Sequence, residues 1–274
     1  TVMRVSGSLY LRNPVKLLGL APFSSMFWFG ENTHPKGFDF RPEVHDSDGL
    51  LVEQKDGRFI WRPLDNGREM RQSIFVMDGI KGFGLQKRDR DFQHFQDLEA
   101  HYHQRVSVWV EPVEGFGRGK LHLIELATGE ETWDNVVTMW EPETQPTATE
   151  PLRFAYNLNW IKEKGHELAK VTATRWGEAV ATPKIPNDYL FVIDFTKGKP
   201  ATGKPADWLP TLELNISGVA VQLDKRVMPN PETGGWRAFF KLDIPPDTKL
   251  LEMTGDLVDD KQPLSERWTY QWRR

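Results

Sequence analysis

Three short polar segments hold the side chains that could carry out chemistry. The first, residues 41–49, brings Arg41, His45 and Asp46 together among turn-forming residues. A carboxylate beside an imidazole and a guanidinium group suits proton transfer. A hydrophilic loop that turns at Asp48 would explain the same residues without any chemistry. Both interpretations stay open on spacing alone.

The other two segments offer further acids and bases. Residues 86–91 include Arg88, Arg90 and Asp91, and they are equally typical of an exposed charge run that neutralises itself. Residues 130–135 precede an apolar strand, and a neighbouring Trp could hold Asp134 in a partly apolar pocket suited to an acid. A simple turn aspartate is the alternative.

Three histidines, His94, His101 and His103, raise the question of a metal site. His101 and His103 are two positions apart and cannot face one ion from a helix, whereas His94 and His101 could share a face. Without an evident carboxylate partner, no metal and no cofactor are expected. The chain has no cysteine, which excludes disulfides and thiolate chemistry, and no Gly-x-Ser-x-Gly motif.

Composition narrows the class of partner. The formal net charge of -4 gives no basic excess, so nucleic acid is not expected as a partner. The apolar runs are too short to span a bilayer. Eleven Trp, sixteen Phe and five Tyr favour carbohydrate, because the C–H faces of sugars stack on flat aromatic side chains. Packing of a β core would account for many of these residues.

Strands are the elements that must position these side chains. Apolar residues alternate along 106–110, 212–216 and 236–244, and turn sequences such as Asp56-Gly57 separate the apolar runs. Strands at this spacing predict an all-β fold made of sandwiches rather than βαβ units.

Two segments depart from the strand pattern. A helical period predicts a short helix over Asp91–Tyr102, and it is carried by Phe92, Phe95, Leu98 and Tyr102. A second helical turn is predicted between Trp160 and Lys170. Residues 141–151 form a polar, proline-rich connector, but 153–160 alternate again and can supply a last strand of the first domain. The predicted domains therefore span residues 1–163 and 172–274.

Five ordered motifs run through the chain, at residues 19–30, 41–50, 61–64, 82–97 and 134–137. Together they resemble the periplasmic osmoregulated-glucan biosynthesis proteins of the G and D type. The resemblance implies a galactose-mutarotase-like β-sandwich, of which the C-terminal part is present, followed by an immunoglobulin-like β-sandwich. A half sandwich leaves strand edges and an apolar face uncovered, so a missing N-terminal segment of the large domain is expected to complete it.

What the resemblance implies about activity falls on Asp46, Asp134 and Tyr102. Members of the family look like inverting endo-β-1,2-glucanases, in which the two aspartates match the catalytic carboxylates and the tyrosine lies on the proton-transfer route. Inversion needs one acid and one base on opposite sides of the scissile bond. Asp46 is expected to be the acid, with neighbours such as His45 setting its proton state, and Asp134 the base that reaches water through Tyr102. The reverse assignment stays open.

The remaining expectations concern binding and partners. Residues expected to contact glucose are Arg41, His45, Arg88, Arg90, Asp91 and Trp109. The expected partner is β-1,2-glucan, in the periplasm, with a second copy of the chain and a membrane glucan synthase as further candidates. A non-hydrolytic glucan-binding or assembly factor and a glucan transglycosylase are the alternative functions.

Overall fold

The computed structural model describes residues 1–33, 37–180, 186–199, 204–205 and 207–274. Nearly all regular structure in these ranges is strand, which confirms the predicted all-β class. The described residues include no helix long and apolar enough to cross a membrane. In chain order the elements are β1 (Val2–Leu9), β2 (Leu20–Ser25), β3 (Phe27–Phe29), β4 (Val44–His45), β5 (Gly49–Gln54), β6 (Phe59–Pro63), β7 (Arg71–Asp78), β8 (Ile80–Gln86), α1 (Phe92–Phe95), a 3-10 turn (Tyr102–Gln104), β9 (Ser107–Glu114), β10 (Arg118–Glu125), β11 (Val136–Pro142), β12 (Leu152–Ile161), β13 (Val171–Glu178), β14 (Asp188–Phe195), β15 (Thr211–Ser217), β16 (Val221–Asn230), β17 (Gly235–Asp243), β18 (Leu250–Asp259), β19 (Gln262–Pro263) and β20 (Arg267–Arg273).

The chain divides into two compact units. Unit 1 comprises Thr1–Gly30, His34–Phe59 and Leu64–Lys164, and unit 2 comprises Glu31–Thr33, Ile60–Pro63 and Gly165–Arg274. Two short stretches of the first half thus join residues far along the chain. The predicted bounds 1–163 and 172–274, and the mutarotase-like and immunoglobulin-like types, stay predictions.

Unit 1 is built from two larger sheets and one short pair. One sheet has the order β1-β12-β9-β8-β5, the other has the order β2-β11-β10-β7, and β3 pairs with β4. Aromatic side chains join the two sheets: the rings of Phe23 and Phe83 lie 6.0 Å apart, and Phe116 contacts both Trp140 and Tyr156. The core of unit 1 therefore lies between these sheets, and the loops between strands carry the polar segments.

The predicted helix over Asp91–Tyr102 is wrong in extent. The α-helix covers Phe92–Phe95 alone, because Gln96 adopts a left-handed conformation with φ 55°. The carboxylate of Asp97 then accepts the backbone N–H groups of Glu99 and Ala100, a local bond that competes with a helix. Leu98, expected on the apolar face, is 74% exposed.

The connector after the first domain also differs from expectation. Strand β12 continues to Ile161, as the alternation over 153–160 indicated, so the predicted helical turn between Trp160 and Lys170 is wrong. Strand β1 covers one side of β12, where Tyr156 pairs with Val5 and Asn157 pairs with Arg4. Pairing of β12 with β9 extends to Ile161, so the start of the predicted helical turn is held as strand.

The strands of unit 2 pair in two sets. One has the order β13-β14-β17-β16, and the other has the order β6-β20-β18-β15, with β19 paired to β18. Phe240 stacks on Phe191 at 5.1 Å and meets Trp268 edge-on at 6.1 Å, which joins the sheets through a buried aromatic core. The indole of Trp268 donates to the hydroxyl of Thr174, so its polar atom is satisfied inside the core.

Close approach of β8 and β9 requires glycine at position 84. A Cβ atom there would lie 2.0 Å from the carbonyl oxygen of Val108, a backbone atom that cannot move aside. Gly84→Ala should therefore lower the free energy of unfolding by about 3 kcal/mol, measured by urea unfolding. Gly117→Ala is the control, because no heavy atom lies within 4 Å of its added methyl. Equal stability of the two variants would contradict this packing.

Candidate functional site

Both predicted catalytic aspartates are attached to the segment Ser24–Phe27. The backbone N–H of Asp46 donates to the carbonyl of Met26 at 2.9 Å, next to the β3–β4 pairing of Phe27 with His45. The hydroxyl groups of Ser25 and Ser47 lie 2.7 Å apart on the other side of these residues. Bonds on both sides fix the backbone that carries Asp46.

The loop that ends at Asp134 reaches the same segment. The side chain of Asn135 accepts from Phe27 N at 2.8 Å and donates to Phe27 O and Leu126 O, each at 3.0 Å. Ser24 donates its hydroxyl to Asp134 Oδ2 at 2.9 Å. Because Asn135 is buried, these bonds hold the loop firmly while Asp134 itself stays exposed.

The two carboxylates occupy unlike environments. Burial raises the pKa of Asp46, and the nearby carboxylate of Asp134 adds to the rise, while Arg105 and Lys87 oppose it. Arg105 Nε lies 3.0 Å from Asp46 Oδ1, and 29% of the Asp46 side chain is exposed. Asp46 therefore holds a proton more readily than an ordinary aspartate and still has access to solvent.

Tyr102 lies buried between the two polar groups of this site. Its hydroxyl donates to Glu131 Oε2 at 2.7 Å, and the guanidinium carbon of Arg105 lies 5.5 Å from its ring centroid. Burial raises the pKa of Tyr102 above its usual range, and the bond to Glu131 and the charge of Asp46 act in the same direction. The phenol is therefore neutral and able to pass a proton along hydrogen bonds.

Glu131 is the functional candidate that the sequence did not single out. Besides the bond from Tyr102, it accepts from Arg41 Nη1 at 2.6 Å. The same guanidinium group binds Asp39 and Asp97, each at 2.9 Å. Hydrogen bonding to Asp39 raises the pKa of Arg41 beyond its already high value, and Asp97 and Glu131 contribute. Arg41 thus positions Glu131, and its predicted contact with glucose stays a prediction.

A buried charged layer lies beneath Asp46. Lys87 Nζ is 3.2 Å from both the Nδ1 and the backbone oxygen of His45, and it sits 3.8 Å above the ring centroid of Phe95. His45 Nε2 lies 2.8 Å from Glu43. Burial lowers the pKa of His45 to about 3, with Lys87 acting in the same direction, so its imidazole is neutral. Burial, Arg105 and Lys87, rather than His45, set the proton state of Asp46.

Four other predicted contact residues make structural bonds. The backbone N–H of Arg88 donates to Asp48, and Arg90 donates to the carbonyls of His103, Arg105 and Lys162, which fixes the chain that presents Arg105. Asp91 caps α1 by accepting from Gln93 N. Trp109 is 2% exposed and packs against Gly82. The glucose contacts predicted for these residues, namely Arg88, Arg90, Asp91 and Trp109, stay predictions.

His94, one of the three histidines considered for metal binding, lies beside two carboxylates. His94 Nδ1 lies 2.6 Å from Asp89 Oδ2, and one ligand atom each from Glu43, Asp89 and His94 lie within 4.8 Å of one another. Burial raises the pKa of Glu43 to about 7, and the positive charge of Lys87 acts in the opposite direction. That the site works without metal stays a prediction.

The contact between Arg105 and Asp46 gives a direct electrostatic test. Arg105→Ala removes a cation that stabilises the carboxylate, so the pKa of Asp46 should rise further. The carboxyl carbon signal of Asp46, followed by NMR over pH, measures this change. Arg105→Lys retains the charge and should leave the titration closer to that of the unchanged protein. An unaltered midpoint in the alanine variant would show that the ion pair is absent in solution.

Comparison with known proteins assigns the family. The family described as "Periplasmic glucan biosynthesis protein, MdoG" matches residues 1–272. The chain is 38% identical to glucans biosynthesis protein D 1 of Ralstonia nicotianae, over 99% of this chain and 53% of that protein. It is 36% identical to glucans biosynthesis protein G of Pseudomonas aeruginosa, over 98% of this chain and 53% of that protein.

A third relative, glucans biosynthesis protein G of Ralstonia nicotianae, is 40% identical over 98% of this chain and 55% of its own length. The chain thus spans about half the length of the curated relatives it matches. The family match covers nearly every residue, including all the segments that form the site described above. The chain therefore belongs to the MdoG family of periplasmic glucan biosynthesis proteins.

Proposed function

We propose that this protein is an inverting endo-β-1,2-glucanase that processes the glucan backbone in the periplasm. The observation that carries the proposal is a pair of carboxylates held by one backbone segment in unlike environments, Asp46 half-buried and Asp134 exposed. Inverting hydrolysis requires such a pair, with one carboxyl group protonated and the other ionised. The family assignment supports glucan as the substrate, and the two carboxylates support acid–base hydrolysis.

In the proposed reaction Asp46 donates a proton to the leaving oxygen. The raised pKa of Asp46 supports this role, since a general acid must hold its proton near neutral pH. Asp134 then removes a proton from the attacking water, directly or through Tyr102. Because the water enters opposite the leaving oxygen, the anomeric configuration inverts.

One observation favours the reverse assignment. The side chain of Arg105 contacts both the ring of Tyr102 and the carboxylate of Asp46, and the charge of Asp46 raises the pKa of Tyr102. A proton relay through Tyr102 would therefore lead to Asp46 as the base, with Asp134 as the acid. The pair is the same in both assignments, and the order of roles can be measured.

Replacing either aspartate by asparagine should lower the rate on linear β-1,2-glucan at least about 100-fold, the usual contribution of general acid–base catalysis. A glucosyl fluoride then separates the roles, because its leaving group needs no proton. The acid variant should retain most of its rate on the fluoride, and the base variant should not. Ser217→Ala, an exposed strand substitution, is the control. Near-normal rates on glucan in both asparagine variants would refute the pair.

Arg105→Ala gives an independent test through the pH profile. Its removal raises the pKa of Asp46, so a role as acid moves the alkaline limb of the rate profile to higher pH. A role as base instead moves the acidic limb to higher pH. An unchanged profile would exclude Asp46 from both roles.

Binding without hydrolysis is the second candidate function. Exposed aromatic side chains near the polar segments support it, because Phe40 is 78% and Trp133 64% exposed. A glucan-binding or assembly factor would leave chain length unchanged, and a transglycosylase would give branched or cyclic products without new reducing ends. Product analysis of linear β-1,2-glucan after incubation with the protein distinguishes the three.

Partners follow from the same proposal. Ile74 is 49% and Val76 76% exposed on β7, which ends the sheet order of its sheet in unit 1. An apolar edge of this kind supports an additional N-terminal segment that completes the large domain. A second copy of the chain and a membrane glucan synthase are the other proposed partners.

A further inference from the structure

Unit 2 contains a cavity that the proposed chemistry does not use. Its volume is about 210 Å³, and its lining includes Trp208 and Trp236 together with the apolar side chains of Leu257 and Leu264. We name it the Trp208–Trp236 pocket. Asp46, Asp134 and Tyr102 all belong to unit 1, so this pocket has its own set of residues.

The two indoles form a corner. Their ring centroids lie 6.3 Å apart and their planes are at 90°. Trp236 lies on β17, and its Nε1 donates to the carbonyl of Lys197. The backbone N–H of Trp208 donates to the carbonyl of Pro205. Both side chains are only half-buried, so apolar ring surface remains exposed to solvent in a concave site.

Two of the lysines around this corner form ion pairs with carboxylates. Lys204 Nζ lies 2.8 Å from Asp259 and 5.4 Å from the ring centroid of Trp208. Lys199 Nζ lies 3.1 Å from Glu167, and the backbone N–H of Lys199 donates to the carbonyl of the same residue. Lys199 and Lys204, two of the three lysines that line the pocket, therefore each have a carboxylate beside the ammonium group, which weakens the attraction for an anion.

Hydroxyl groups suit these pairs better than phosphate or carboxylate does. An ammonium–carboxylate pair offers donors and acceptors side by side, and a sugar hydroxyl both donates and accepts. The apolar C–H face of a pyranose ring matches an indole surface, and a concave aromatic site with a few polar groups is typical of small-molecule binding. The lining thus combines the two requirements of a neutral saccharide.

We propose that the Trp208–Trp236 pocket is a second glucan-binding site, which holds one glucosyl unit of a chain. The identity of the sugar rests on the proposed function, whereas the site and its neutral saccharide class rest on the pocket itself. Binding here would hold a long glucan on the protein independently of the cleavage step. Short oligosaccharides would not benefit from this second attachment.

The test uses the whole protein labelled at the indole nitrogen of tryptophan. Linear β-1,2-gluco-oligosaccharide is titrated, and the Trp208 and Trp236 signals, assigned with Trp208→Phe and Trp236→Phe, should shift saturably. Trp236→Ala should weaken binding reported by Trp208 at least about tenfold, the loss of one aromatic contact. Phe239→Ala, a half-buried aromatic substitution on the same strand, is the matched control and should leave binding unchanged.

Three results would overturn the proposal. They are no shift at millimolar oligosaccharide, shifts with inorganic phosphate but not with sugar, and equal weakening by Phe239→Ala. Lys204→Met removes one ammonium–carboxylate pair while both indoles remain. Undiminished sugar binding in that variant would contradict the proposal that sugar hydroxyl groups bind to these pairs. Sugar binding without cleavage would refute the proposed hydrolase alone, and cleavage without indole shifts would refute the second site alone.

Discussion

One short backbone segment determines how the candidate catalytic groups are arranged. Met26 accepts the N–H of Asp46, and Phe27 exchanges two bonds with Asn135, the neighbour of Asp134. Asp46 and Asp134, which are far apart in sequence, are therefore held next to two adjacent residues, Met26 and Phe27. The distance between the two catalytic carboxyl groups distinguishes inverting from retaining glycosidases, and it depends on hydrogen bonds of this kind that fix the backbone. The strands of unit 1 serve this geometry by holding β3 and β4 in place.

Electrostatics distinguishes the two carboxylates once the backbone has placed them. Asp46 is flanked by Arg105 at the solvent side and by the buried layer of Lys87 below, whereas Asp134 has a serine hydroxyl as its partner. The pKa of Asp46 is a balance between burial, which raises it, and these cations, which lower it. A balance of opposing contributions lets small changes in the surroundings adjust a catalytic group.

The sequence predicted the strands well because alternation reports burial directly. Residues 236–243 lie in β17, one residue short of the predicted run, and residues 212–216 lie in β15 as expected. Alternation fails where both faces of a strand are covered, and in β9 Trp109 and Val110 are both buried although they point to opposite faces. The predicted helix failed for a different reason, since the Asx-type bonds of Asp97 act locally and leave no periodic trace.

The candidate site was only partly predictable. Asp46, Asp134 and Tyr102 are drawn together, and they came from the family resemblance rather than from spacing. Glu131 stood inside a recognised polar segment, but its partners Arg41 and Tyr102 come from distant positions, so pattern alone could not select it. The membership of 60–63 in unit 2 likewise depends on tertiary pairing, namely of β6 with β20.

The complete burial of Lys87 has a practical consequence for watching this region move. Its ammonium group is enclosed by His45 and the ring of Phe95 and has no exposed surface. Amine-reactive reagents therefore cannot reach it while the layer is closed, although they modify surface lysines freely. Any label that accumulates on Lys87 shows that the buried layer beneath Asp46 has opened, and the rate of labelling measures how often it opens. Lys87 is therefore a natural probe of local unfolding at the site.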